Sequence, residues 1–353
     1  MAGLKHLLSK SLVICVGAGG VGKTTTAAAL ALAAAMQRRR AAVITVDPAR
    51  RLKDALGLHD ITVDPQPVTL NGASFDALAL DVKRTFDGVI QRFAPSPAVA
   101  ERILANRLYR ELSNELAGSA EYMAMEKLHE MSGARHYELI VVDTPPSSHV
   151  QDLLAAPNRL ANLLASRAVG LLQAPASLLS GVDSRFGRLT LSTLLKALQR
   201  WTGMDLLNDL SDFVAGFEGM TEGFSARAEE VNELLRSSHT AFVLVTTLEP
   251  HTVDTTIRFH QQLAEGGYRI DGIIANRVLA LPEIDEIVGD VDDRLRQKLV
   301  SNYTDLRELS RRDQRALRRL HQETGCPLLA AVPVASEAPT SLEALAGFAK
   351  QLL

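Results

Sequence analysis

The residues best spaced for chemistry lie near the start of the chain. Gly17, Gly22, Lys23 and Thr24 fill the fixed places of a G-x-x-x-x-G-K-[ST] frame, with Gly19, Gly20 and Val21 inside it and Thr25 behind it. Glycines let successive backbone N–H groups curl around an anion, because no Cβ blocks the turn. At this spacing Lys23 meets the β- and γ-phosphates of a nucleotide, and the Thr24 hydroxyl serves Mg2+. Position 18, inside the loop, is a neutral alanine. Two carboxylates follow at the ends of apolar runs. Asp47 stands after Ala-Ala-Val-Ile-Thr-Val and before Pro48; it suits either the orientation of an attacking water or a share of Mg2+, or simply the cap of the next helix. Asp143 stands after Leu-Ile-Val-Val and before Thr-Pro-Pro. That is where a phosphate loop finds its Mg2+ partner, and also where a cap and turn would fall. Asn276 ends the run Ile-Asp-Gly-Ile-Ile-Ala-Asn, and its amide offers a donor and an acceptor to an adenine edge, although asparagine also ends strands in plain turns. Pro333 closes a last apolar run at the same edge.

Such groups need a frame that brings strand ends together. Near-continuous apolar runs at 12–16, 42–47, 77–80, 138–143, 241–247, 270–275 and 328–333 read as strands buried on both faces. Helical patterns between them imply parallel strands joined by crossovers. The alanine-rich run from 27 to 35 reads as a helix whose N-terminus meets the phosphates. The expected fold is therefore α/β: a doubly wound, mostly parallel sheet of the P-loop NTPase kind, forming a single domain over 1–353. Two stretches, about 83–135 and 157–236, read as helical throughout and are expected to be insertions forming a helical subdomain.

Gross properties narrow the partners. The chain has 353 residues and a net charge of −3, which gives no footing for nucleic acid. Its two cysteines, Cys15 and Cys326, lie beside apolar runs and show no metal spacing, as expected of buried thiols in a reducing compartment. No leader pattern and no run of about 18 apolar residues appears, so a cytoplasmic protein without an integral membrane segment is expected.

The phosphate loop, the Asp47 segment, the Asp143 segment and the Asn276 segment occur in one order. Together they resemble the ArsA family, which comprises the arsenite-pump ATPases and the ATPases that target tail-anchored membrane proteins, most closely a bacterial branch. The resemblance spans about residues 11 to 335. The family loop G-K-G-G-V-G-K-T is Gly17-Ala18-Gly19-Gly20-Val21-Gly22-Lys23-Thr24 here; D-P-A-H-S-L is Asp47-Pro48-Ala49-Arg50-Arg51-Leu52; D-T-A-P-T-G-H is Asp143-Thr144-Pro145-Pro146-Ser147-Ser148-His149. The resemblance implies a deviant Walker A ATPase, using ATP and Mg2+, whose dimer opens and closes around two facing nucleotides. It makes Asp47 the water-orienting carboxylate, gives Thr24 and Asp143 to Mg2+, Lys23, Thr24 and Thr25 to the phosphates, and Asn276 to adenine.

Three departures bear on mechanism. Ala18 replaces the lysine that crosses the dimer in this family, Arg50 and Arg51 replace His and Ser, and Ser148 replaces a glycine. The missing charge is expected from a lysine-bearing paralogue in a heterodimer, from Arg50 or Arg51 in a homodimer, or not at all, leaving an ATP-binding regulatory subunit that hydrolyses slowly. An apolar stripe through 189–224, with Trp201, Met204, Met220 and Phe224 among its members, is either core or dimer interface, or a groove for apolar membrane-protein segments. The family's zinc and arsenite cysteines have no counterparts. The C-terminal run "SLEALAGFAKQLL" is expected to close the sheet rather than lie on a membrane.

Overall fold

The computed structural model describes residues 2–46, 49–112, 119–134, 136–145, 220–281, 292–335 and 339–352. Asp47, Pro48, Ser147, Ser148, His149 and most of the apolar stripe lie outside them. In chain order the elements are α1 (Ala2–Leu8), β1 (Leu12–Val16), α2 (Lys23–Met36), β2 (Ala41–Thr45), α3 (Ala49–Leu56), β3 (Gln66–Leu70), β4 (Ala73–Ala79), α4 (Val82–Phe93), α5 (Pro97–Ala105), α6 (Arg107–Leu112), α7 (Ser119–Gly133) and β5 (Leu139–Asp143). Then come α8 (Thr221–Arg236), β6 (Thr240–Thr246), α9 (Pro250–Glu265), β7 (Ile270–Val278), α10 (Asp293–Thr324), β8 (Leu328–Pro333) and α11 (Leu342–Leu352).

The chain divides into two compact units. The first comprises Met1–Ala79, Arg135–Ser148 and Ser238–Leu353; the second comprises Leu80–Ala134 and His149–Ser237. The first unit holds an eight-stranded sheet in the order β3-β4-β2-β5-β1-β6-β7-β8. Every neighbouring pair is parallel except β3 with β4. This is the doubly wound α/β sheet that the apolar runs imply. Strands β1, β2, β5 and β6 are buried along their whole length, as strands covered on both faces must be.

The sequence reading missed one strand. β3 folds back on β4 through Asn71 and Gly72, both in the left-handed region at φ 49° and 81°. Two such residues make the tight turn whose twist suits a hairpin, so the Asn-Gly pair was the available signal. Three other boundaries shift. β4 begins at Ala73, four residues ahead of the run read from 77. β2 ends at Thr45, short of Asp47. β7 runs two residues past Asn276 to Val278, through Arg277 at φ 57°, so Asn276 lies within the strand rather than at its end.

α2 is the central helix. Ala27 to Ala34 are wholly shielded from solvent, and the six alanines among them let the helix lie close on the sheet. α11 closes over the same side, its Leu345, Ala349 and Leu352 joining the core that contains α2, β1, β2 and β6 residues. α1 contributes Leu4, Leu7 and Leu8 to that core.

The second unit is helical in its described residues. Asp81 caps α4 by accepting from the Arg84 N–H, and Ser96 caps α5 with Pro97 in the first turn, both standard means of satisfying first-turn amides. Phe86, Val89, Ile90, Ala100, Ile103, Tyr109 and Met123 pack with Met220, the described residue of the apolar stripe that is wholly buried. Glu126, 2% exposed, is held by Arg92 and Arg227 at 2.9 and 3.2 Å. No helix among the described residues is long and apolar enough to cross a membrane.

Candidate functional site

The loop leaves the carboxyl end of β1, the strand between β5 and β6. Position 17 must be glycine, because a Cβ there would overlap the Val245 carbonyl oxygen of β6. Position 22 must be glycine twice over: its φ is 97°, and a Cβ would overlap the Asn276 amide nitrogen. No side chain caps α2 at Gly22, and the first intrahelical bond runs from Thr26 N–H to Gly22 O. The start of α2 therefore brings its first-turn amides and the positive end of its dipole to the loop, the arrangement that binds anions. Lys23 is buried, and its ammonium donates to the carbonyls of Gly17 and Ala18 at 3.0 and 2.9 Å. The lysine thus arches over the loop it belongs to.

Beside the loop, strand register assembles an oxygen cluster. β5 lies between β1 and β2, with Asp143 paired to Cys15 on one side and to Thr45 on the other. Asp143 Oδ2 accepts from Thr24 Oγ1 at 2.8 Å and from Thr45 Oγ1 at 2.9 Å. The carboxylate is wholly buried. These hard oxygen donors, one carboxylate and adjoining hydroxyls, fit Mg2+. The structure therefore brings together Thr24 and Asp143, which the sequence reading paired, and adds Thr45, which that reading missed. Thr45 was visible as the last hydroxyl of the second apolar run; only the in-register pairing of β2 with β5 reveals what it faces. Thr144 Oγ1 donates to the Cys15 carbonyl at 2.7 Å and ties the segment after β5 to β1. Burial, and next the Asp143 charge, hold the Cys15 thiol far above its ordinary range, so it is no nucleophile.

Asn276 reaches the loop from β7. Its amide donates to Val21 O at 2.9 Å, and its oxygen accepts from Arg277 N–H at 2.9 Å. One N–H and one lone pair remain for another group. A cleft of about 320 Å3 opens next to it, lined by Gly22, Thr25, Asn276, Arg277 and Pro333 on one side. The other wall is α11, through Ala344, Gly347, Phe348 and Gln351. Their spacing places them on one helix face, beside the face that packs into the core. Asn276 and Pro333 thus share one cleft with the helix start at Gly22 and Thr25. The α11 wall was not read from the sequence, where that helix served only to close the sheet.

Arg50 and Arg51 begin α3 and are exposed, while Leu52 and Leu56 of the same helix are buried. Arg50 lies 4.0 Å from Asp54 on the helix surface. Glu249, for which the sequence suggested no role, precedes α9. Burial disfavours its charge, but the Thr247 hydroxyl, its own backbone, Arg312 and Arg277 together hold its carboxyl below the usual range.

Residues 10–305 match the family model described as anion-transporting ATPase. The ATPase GET3 of Malassezia globosa is 26% identical over 284 residues, covering 79% of this chain and 77% of that protein. The ATPase get3 of Aspergillus terreus is 28% identical over 279 residues, covering 74% and 72%. An ATPase ASNA1 homolog of Trypanosoma cruzi is 26% identical over 335 residues, covering 85% and 83%.

Thr45→Val keeps the side chain's shape and removes one donor from a buried carboxylate. The expected loss is about 1.5–3 kcal/mol of unfolding free energy, read from the urea midpoint at unchanged slope. An unchanged midpoint would show that the Thr45 hydroxyl does not support Asp143.

Proposed function

The chain belongs to the anion-transporting ATPase family and is an ATPase, and on that footing we propose that it hydrolyses ATP with Mg2+ and works as a dimer that closes around its nucleotides. The observation that carries this reading is the Asp143 carboxylate, bound to the hydroxyl of the first full helical residue after Lys23. The loop amides and the Lys23 ammonium hold the β- and γ-phosphates, with Gly17, Gly19, Gly20, Val21, Gly22, Thr24 and Thr25 forming the cradle. Thr24 and Asp143 would hold Mg2+, which would supply positive charge against the phosphates. Asp47 orients the attacking water. Asn276 takes an adenine edge with the N–H and lone pair left over from the loop and Arg277, and Pro333 lies against the base. The second unit is the helical subdomain through which hydrolysis is coupled to a cargo or partner. The reading keeps the protein in the cytoplasm.

Ala18 bears on the charge that crosses the dimer. Arg50 and Arg51 are exposed at the start of α3, directly after the Asp47 segment, and a guanidinium suits phosphate geometry. They supply the charge in a homodimer; a lysine-bearing paralogue supplies it in a heterodimer, where this chain hydrolyses little by itself.

Titration calorimetry of the pure chain with ATP and Mg2+ is expected to show heat, and Lys23→Ala to abolish it. No heat from the folded wild-type protein would end the proposal. At the base end, Gly347 has open space where a Cβ would point, so Gly347→Leu fills the cleft. We expect it to weaken ATP binding by about tenfold or more while leaving pyrophosphate binding and thermal stability near wild type; equal weakening of both would remove the base from this cleft. Turnover of the isolated chain separates the sources of trans charge. Loss of about 10³-fold or more in Arg50→Ala or Arg51→Ala supports the arginines, and wild-type rates in both exclude them.

A further inference from the structure

α10 is 32 residues long, about 48 Å at 1.5 Å per residue. A strict seven-residue repeat runs through it at Leu295, Leu299, Asn302, Leu306, Leu309, Asp313, Ala316 and Leu320. The repeat has two fates. Toward the C-terminus Asp313 and Leu320 are buried, and Asp313 Oδ2 accepts from the Leu279 N–H at 3.0 Å. Toward the N-terminus Leu295, Leu299, Leu306 and Leu309 are 39–44% exposed, and Val300 lies beside them at 51%. Of the eight large apolar side chains exposed among the described residues, five stand on this half helix. Such concentration marks a surface meant to be covered, and the 3.5-residue spacing of the leucines specifies another helix as the cover.

Charge selects which helix. In this repeat Lys298 and Asp305 occupy the positions flanking the apolar seam, and both are exposed. Seven residues apart, they sit two turns from each other on their own helix and do not pair there. A parallel copy would set Lys298 against Tyr303 and Asp305 against Ser310, with no ion pair gained. An antiparallel copy with its two-fold axis between Leu299 and Asn302 sets Leu295 against Leu306 and Leu299 against Asn302. It also sets Lys298 of each helix against Asp305 of the other. The contact closes on itself as an isologous interface.

We propose that the N-terminal half of α10 pairs antiparallel with the same segment of a second copy of this chain, independently of nucleotide. This interface goes beyond the ATP-driven closure proposed above: it joins two chains by two Leu295–Leu306 layers, two Leu299–Asn302 layers and two Lys298–Asp305 pairs.

The test is the mass of the full chain by analytical ultracentrifugation without nucleotide, at low salt, over a range of micromolar concentrations. Wild type is expected to be dimeric, and Leu299→Asp with Leu306→Asp to raise the dimer Kd by about tenfold or more. Lys298→Glu alone and Asp305→Lys alone are each expected to weaken the dimer severalfold by opposing like charges. Their combination is expected to restore it, and an equal mixture of the two single variants is expected to dimerise like wild type, which an interaction inside one chain would not do. These two residues are exposed, so their variants report even where the leucine variant loses its fold. A monomer at all concentrations overturns the proposal, and a lowered melting temperature for Leu299→Asp in that monomer would assign the stripe to the chain's own packing. A dimer in which the charge reversal fails to restore affinity also overturns it. Calorimetric ATP binding is unaffected by either result, so the two readings fail separately.

Discussion

A carboxylate taken wholly out of water must be answered by donors, and the need to answer Asp143 organises the centre of this molecule. Its oxygen is met from two directions: by Thr45 at the end of β2 and by Thr24 in the first turn of α2. Both partners arrive only if β2, β5 and β1 pair in their observed register, because a slip of one residue would turn the threonine or the aspartate to the opposite face. The same register brings Cys15 beside Asp143 and sets the loop at the mouth of the sheet. Sheet, loop and carboxylate therefore stand or fall together, and the chemistry is a property of strand alignment as much as of side-chain identity.

The base end is tied to the phosphate end by backbone. Asn276 spends one N–H on Val21 O within the loop, and Gly22 leaves no room for anything else between them. α2 carries the loop's lysine and threonines at its start and supports α11 along its length. The wall that faces the cleft is thus seated on the helix that begins at the loop. Displacing α11 would disturb the loop through that helix.

Much of this is legible in the sequence. The glycine spacing before Lys23 told of a phosphate cradle, and the uninterrupted Val and Ile runs told of strands covered on both faces. Those are local signals, carried by residues a few positions apart. What escaped was non-local or understated. Thr45 looked like any strand hydroxyl until a strand from residue 139 onward came to lie beside it. The second face of α11 was hidden because Phe348 and Gly347 gave no polar pattern, and a cleft is made by what stands opposite. β3 was overlooked for a different reason: its turn signal, Asn71-Gly72, was present, but the strand is half exposed and carries Pro67, so it lacked the apolar density of its neighbours.

That proline has a larger role than its small strand suggests. β3 is an outermost strand of the sheet and only five residues long, and a residue without an N–H in such a strand denies one rung to any incoming chain. Lateral growth of the sheet into fibrils, the standing hazard of an open edge, is blunted on that flank by a single missing hydrogen.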